Sequence, residues 1–326
     1  MLRMPPFDLV MPDTVQGAVN AKAQSGESLF VAGGTDLLPN LKHQLHSPKL
    51  LVDLSRVEGL SGIDDDGQGG LRIGAMTRLH DVVHHPLVGA RAPALALAAS
   101  LIAGPQHRRM GTLGGNVLLD TRCLFYNQTE AWRAAIGFCL KRDGTHCHVS
   151  GSPKGCVAAQ SSDTVPVLTA LGASIEATLP DLATVRVPLE QLFGKDGRYD
   201  QMFQLPPGSL LTAVVVPAPA HRQVSTYRKV RSRAAVDFPQ VGVAVSLQHV
   251  GSGVSDLVIV LGAMLPAPRR IEFPDVNNLD DAAVDAVVAR VLKQCRPMTS
   301  VHGDIAWRRH MAGVETRRAL LQLRSA

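Results

Sequence analysis

The chain has 326 residues, is 45% hydrophobic and carries a formal net charge of +5. That length permits two packed domains. The positive charge raises nucleic acid as a partner, but aromatic residues make up only 4% and the basic residues are spread along the chain, so no nucleic-acid surface is expected.

The start, Met1 to Pro6, lacks an apolar leader core, and the longest apolar run, Ala92 to Gly104, is shorter than the roughly 20 residues a bilayer span needs. A cytoplasmic protein with no membrane contact is the expectation, and that reducing compartment disfavours disulfides. Val15 to Ala23 has helical spacing, and Ser28 to Ala32 reads as a short strand. The strand runs into Gly33-Gly34-Thr35-Asp36 and a helical turn at Leu37 to Leu41. Glycines let backbone N–H groups approach an anion, and a helix start favours negative charge. Alone, the motif reads as an ordinary strand–turn–helix with an N-cap at Thr35 or Asp36.

Lys49 to Asp53 and Leu71 to Ala75 are further strands. Arg78 to Val83 starts a helix that His84, His85 and Pro86 end, and Ala92 to Ala103 is a helix stopped by Gly104-Pro105. A second glycine turn, Gly111-Thr112-Leu113-Gly114-Gly115-Asn116, follows. Two such turns could grip one pyrophosphate from both sides, as a dinucleotide requires. No Gly-x-Gly-x-x-Gly occurs, so the Rossmann pattern is excluded.

Four of the five cysteines, Cys123, Cys139, Cys147 and Cys156, then fall in one window, with 15, 7 and 8 residues between successive thiols. Four thiols so placed point to a metal or a metal–sulfur cluster. Structural zinc usually takes close cysteine pairs and ferredoxins have their own spacing; neither pattern is present, so both readings stay open. Phe125, Tyr126, Trp132 and Phe138 supply apolar bulk that could shield a cluster, while His146 and His148 read as solvent-facing.

Beyond Ser162-Asp163-Thr164-Val165-Pro166 come a helix at Val165 to Leu171 and strands at Ala173 to Leu179 and Thr184 to Pro188. Leu205-Pro206-Pro207-Gly208 is a break that marks the expected domain boundary. After it, Leu210 to Val216, Ser225 to Val230, Gln240 to His249 and Leu257 to Leu265 read as an antiparallel meander. Asp280 to Cys295 is a helix that buries Cys295, and a last helix spans about Ile305 to Leu323, with Arg308, Arg309, Arg317 and Arg318 on a solvated face.

These segments resemble the FAD-binding medium subunit of the xanthine oxidase and carbon monoxide dehydrogenase family. The matching residues are Val31 to Leu38, Thr112 to Asn116, Ser162 to Pro166 and Tyr227-Arg228-Lys229-Val230-Arg231. The resemblance implies an α+β fold: a two-part FAD-binding domain over 1–208, split near 55–60, and a C-terminal sheet-and-helix domain over 209–326. It implies FAD contacts from Ala32, Gly33, Gly34, Thr35, Asp36, Thr112, Gly114, Gly115 and Asn116, with Asp163 at the ribityl side and Lys229 near the isoalloxazine. It also implies a molybdopterin-containing large subunit and a 2Fe–2S small subunit as partners.

One departure stands out. Asn116 and Ser162 are separated by 45 residues, far more than in ordinary members, and all four clustered cysteines lie in the excess, about 118–158. Such an insertion is similar to that of the β subunits of 4-hydroxybenzoyl-CoA reductases, and it implies a 4Fe–4S cluster on Cys123, Cys139, Cys147 and Cys156. That likeness further implies reduced ferredoxin as donor, and electrons passing through cluster and FAD to the partner subunits. No catalytic constellation stands out in this chain, as suits an electron relay. The competing expectations are a hydroxylase flavoprotein passing electrons outward, a stand-alone flavin oxidase and a zinc-stabilised binding module.

Overall fold

The computed structural model describes residues 2–325. The first sheet is parallel: β1 (Asp8–Val10), β3 (Leu50–Asp53) and β2 (Ser28–Val31), in that order, joined by helices α1 (Val15–Ala23) and α2 (Leu37–Lys42). Thr14 starts α1 by accepting the Gly17 N–H, and Ala18 and Val19 turn into the sheet beside Val52. The turn between β2 and α2 carries the first glycine pair, so the sheet edge itself presents that loop.

A second, antiparallel sheet runs β4 (Ile63–Asp65), β5 (Leu71–Gly74), β8 (Leu210–Val216), β6 (Ser174–Thr178), β7 (Thr184–Pro188). Helices α3 (Leu79–His84), α4 (Pro86–Arg91), α5 (Pro93–Ser100), α6 (Pro105–Met110) and α7 (Leu113–Val117) follow β5. Next come α8 (Glu130–Ala135) inside the insertion and α9 (Thr164–Ala170) beyond it. Their small apolar side chains, Ala94, Leu95, Ala98, Ala99 and Val117 among them, join Ile73, Ile175 and Val214 in the largest core.

The third sheet is the antiparallel meander β12 (Arg269–Phe273), β11 (Gly253–Gly262), β10 (Val241–Val250), β9 (Gln223–Val230), backed by α10 (Asp281–Gln294) and α11 (Ile305–Arg324). Val284, Val287 and Val291 recur at helical spacing on α10 and are fully buried; each contributes about 1.5–3 kcal/mol relative to exposure. Cys295 completes that core. The mixed α/β architecture, with its FAD-domain-like first part and C-terminal sheet, agrees with the α+β expectation.

The structure corrects three expectations. β8 is not part of the meander: it pairs with β5 and β6, so the chain crosses to the third sheet over 217–222, not after Gly208. Pro86 follows the end of α3 and Gly104-Pro105 the end of α5, as expected, and each proline also opens the next helix, α4 and α6, where a missing N–H costs nothing and the fixed φ is already helical. Arg308 is not on a solvated face. It is fully buried and donates to the carbonyl oxygens of Gln240, Ala263 and Met298, tying α11 to the loops below β10 and β11. His148 is half-buried in the thiol cavity instead of facing solvent.

Candidate functional site

The first glycine loop leaves β2 with a backbone only glycine can adopt. A Cβ on Gly33 would sit 1.9 Å from the carbonyl oxygen of Met110, so the two loops touch backbone to backbone. Gly34 has φ +69°, in the left-handed region that favours glycine. Among the described residues, the backbone N–H groups of Gly33, Gly34, Thr35 and Asp36 have no acceptor in the protein. Several N–H groups held together without partners form a nest that suits an anion such as a pyrophosphate. Asp36 takes no part in that nest through its carboxylate, which accepts from Asn40 Nδ2 at 3.0 Å and pairs with Arg122.

The second loop is built differently. Thr112 caps α7 by accepting the Gly115 N–H at 3.1 Å. Leu113 and Gly114 donate to Thr77 and Ala75, and Asn116 to Thr112. A Cβ on Gly114 would come 2.7 Å from the Ala75 Cβ, which explains the glycine by close packing of α7 on the end of β5. Gly115 is exposed, and a Cβ there would lie 4.0 Å from the Ala32 Cβ, so the two glycine loops lie side by side. The expected grip from both sides is thus unequal: free donors come from the first loop, while the N–H groups of the second serve the protein itself. The pair fits a dinucleotide phosphate, which needs both the donors and the missing side chains.

Asn116 then reaches across 46 residues of sequence. Its Oδ1 accepts from the Ser162 and Thr164 hydroxyls, each at 2.7 Å, and fixes the start of α9 against the second loop. Asp163, 4% exposed, accepts from Tyr227 Oη at 2.8 Å and from Lys229 Nζ at 2.7 Å. Burial raises the Asp163 carboxyl above its ordinary pKa, with the Lys229 charge pulling the other way. Lys229 also donates to the Leu101 carbonyl at 3.0 Å. Tyr227 and Lys229 alternate along β9 to one side, so the meander closes over the α9 start. Tyr227 is a residue that motif reading quoted without assigning a role; the period-two spacing with Lys229 is the signal that marks it.

The insertion brings its four cysteines together. Cys123, Cys139, Cys147 and Cys156 are buried, unpaired by disulfides, and all line one cavity with Phe125, Tyr126 and Val149. Gly144 donates to the Cys139 carbonyl, and a Cβ on it would lie 2.5 Å from Cys139 N, so the turn carrying that thiol is wound tightly. The Ala158 N–H points at Cys156 Sγ from 3.4 Å. Burial pushes the Cys123 thiol up to about 11 and the Cys156 thiol up to about 12. Burial also acts on Cys147, but hydrogen bonds from the Ser150 hydroxyl and from neighbouring backbone N–H groups outweigh it and bring that thiol below its usual value.

Among the described residues, no three His, Cys, Asp or Glu side chains converge on the position of a single ion. A zinc ion would need four sulfurs at about 2.3 Å from one point. Four buried thiols lining one cavity are a donor set that zinc or an iron–sulfur cluster would take, and hydrogen bonds to the sulfurs are a feature of cluster sites. Trp132, expected to shield the site, is 40% exposed, and Phe125 and Tyr126 form the wall.

Two arginines that motif reading missed dock the insertion on the helix behind the first glycine loop. Arg122, the neighbour of Cys123, pairs with Asp36 at the start of α2 and lies 4.4 Å over the Phe238 ring. Arg133, 2% exposed, donates to the carbonyls of Gln44 at 2.8 Å and His43 at 3.3 Å, just past the end of α2. One short helix therefore has the anion nest before it and the cysteine loop clamped to both ends.

Residues 5–219 match the family described as the FAD binding domain in molybdopterin dehydrogenase, and residues 225–323 match the CO dehydrogenase flavoprotein C-terminal domain. The chain belongs to this family of FAD-binding subunits. It is a flavoprotein subunit of the molybdenum hydroxylase type. It is 34% identical over 270 residues to the aldehyde oxidoreductase FAD-binding subunit PaoB of Escherichia coli, covering 80% of this chain and 82% of that one. Against the carbon monoxide dehydrogenase medium chain of Hydrogenophaga pseudoflava the identity is 29%, over 97% of this chain and 96% of the relative. The solved carbon monoxide dehydrogenase from that organism superposes with a TM-score of 0.79 at 27% identity, over 98% of this chain and 97% of that chain. No described helix is long and apolar enough to cross a membrane.

Proposed function

We propose that this chain is a two-centre electron relay, with FAD in the cleft between the glycine loops and a 4Fe–4S cluster on Cys123, Cys139, Cys147 and Cys156. One observation supports the second half: four buried thiols from an irregular loop wall a single cavity. FAD exchanges electrons in pairs or singly and a cluster singly, which is the chemistry the two groups supply when bound. The protein's own part is positional. The N–H groups of Gly33 to Asp36 hold the pyrophosphate, Gly114 and Gly115 keep the second loop flat, and Asp163 and Lys229 close the cleft on the ribityl and isoalloxazine side. Phe125, Tyr126 and Val149 keep water from the thiols. Substrate chemistry belongs to a partner.

The partners in this reading are a molybdopterin-containing large subunit and a 2Fe–2S small subunit, assembled in the cytoplasm. The names of the relatives, aldehyde oxidoreductase and carbon monoxide dehydrogenase, favour electrons arriving from the molybdenum side and leaving outward. The cysteine insertion itself favours a second reading. There, reduced ferredoxin donates, and the partner removes the phenolic hydroxyl of 4-hydroxybenzoyl-CoA to give benzoyl-CoA. Assaying the purified complex with an aldehyde and an artificial acceptor, and separately with 4-hydroxybenzoyl-CoA and reduced ferredoxin, separates the two.

The relay is tested by anaerobic purification with iron, sulfide and FAD measured per chain. About four irons are expected in the wild type, and Cys139→Ser should lose them and keep its FAD. Zinc without iron in the wild type, or unchanged iron in the variant, overturns the ligand assignment.

A further inference from the structure

Among the residues that wall the thiol cavity, Lys141 carries the one permanent charge. Its side chain is 1% exposed. The ammonium donates to Asp120 Oδ1 at 2.6 Å, to the Thr121 carbonyl at 2.9 Å and to the Thr121 hydroxyl, and it lies 4.4 Å over the Tyr126 ring. Asp120 is as deeply buried but does not line the cavity. The ammonium is thus fixed by Asp120 and Thr121 on a residue of the cavity wall.

A buried charge pair is costly to desolvate, and replacing it by apolar groups often leaves stability unchanged or improved. This pair is therefore poorly explained by stability. It is well placed to act on a charge that changes inside the cavity. A group held by four thiolates is anionic, and adding one electron adds one more negative charge. In a site of low effective dielectric, a cation at the wall favours the reduced form, and a carboxylate behind it works in the opposite direction.

We propose that Lys141 and Asp120 set the reduction potential of the cluster bound by the four cysteines, Lys141 raising it and Asp120 limiting the rise. The inference rests on the cluster reading above. The two are positioning residues: neither is a ligand, and each acts through the field at the sulfurs. A purely structural pair, by contrast, would lose iron when either partner is replaced and would not move the potential in opposite directions.

The test is a redox titration of the assembled complex followed by the cluster's spin signal, with iron content measured on the same samples. Lys141→Met should lower the reduced-to-oxidised ratio about tenfold at fixed poise, equivalent to about 59 mV for one electron. Asp120→Asn should raise it by a similar factor, Lys141→Arg should stay within about threefold of wild type, and the flavin couple should not shift. Both variants keeping iron with less than about twofold change, or moving in the same direction, overturns the proposal. If Lys141→Met fails to assemble, Asp120→Asn decides alone: a rise supports the proposal, and no change or a fall overturns it. Wild-type complex without iron would sink the cluster reading itself, a separate outcome from iron present with unmoved potentials.

Discussion

In the proposed relay, the cleft between the glycine loops and the cysteine insertion would each hold a charged prosthetic group, by opposite means. The cleft is made of regular elements, and its function comes from what is missing: Cβ atoms at Gly33 and Gly114, and acceptors for the first loop's N–H groups. The insertion has one short helix, and several residues with positive φ (Gly137, Phe138, Asp143 and Gly151) bend its path around the thiols. Its order comes from long-range ties by charged side chains: Arg122 to Asp36, Arg133 to the end of α2, and Lys141 to Asp120. Short-range backbone rules therefore govern one site and tertiary electrostatics the other.

That contrast can be broken or sharpened by mutation. The largest effect is expected at Gly33. A methyl group there would collide with Met110's carbonyl oxygen at 1.9 Å, so Gly33→Ala must push the two loops apart. Overpacking of this kind costs about 1–3 kcal/mol or more. FAD should be lost on desalting, as read by flavin absorbance per chain, while iron should remain; full flavin retention would mean that the loops do not hold it.

Arg133→Met should cost about 2 kcal/mol, because it leaves the carbonyls beyond α2 without a buried donor. Denaturant unfolding of the apo-chain checks the magnitude. Limited proteolysis should cut the insertion first, since the clamp on the end of α2 is lost while the first loop keeps its glycines. Cleavage elsewhere first would place the main anchor outside Arg133.

The smallest effect concerns the thiols one by one. In metal-free protein at pH 8, Cys123 and Cys156, pushed up to about 11 and about 12, stay protonated. Cys147 lies below its ordinary value, so it holds more thiolate, the nucleophilic form, at that pH. Mass spectrometry of a brief alkylation should find Cys147 modified ahead of both. Equal rates for all three would deny that the Ser150 hydroxyl and the backbone donors single it out.

The same division explains what could be read from the sequence. The glycine loops, the strands around them and α10 follow from local pattern, and the density of cysteines marks the insertion. Pro86 and Pro105 mark helix ends as expected, but nothing local shows that they also open α4 and α6, because only the chain's path decides that. β8 looks like a member of the meander because its apolar run is the same kind as theirs; its partners, β5 and β6, are remote in sequence. Arg308 carries no local sign that three carbonyls surround it. Arg122, Arg133 and Lys141 escape for the same reason: a single basic residue in a polar loop reads as solvated until its buried partner is known.

Electron counting tests the central claim most directly. Anaerobic reductive titration of the purified complex gives the electrons taken up per FAD, for wild type and for Cys139→Ser. If the insertion holds a one-electron centre beside the flavin, the variant should take up about one electron fewer per FAD with its flavin content unchanged. Identical counts would contradict the account.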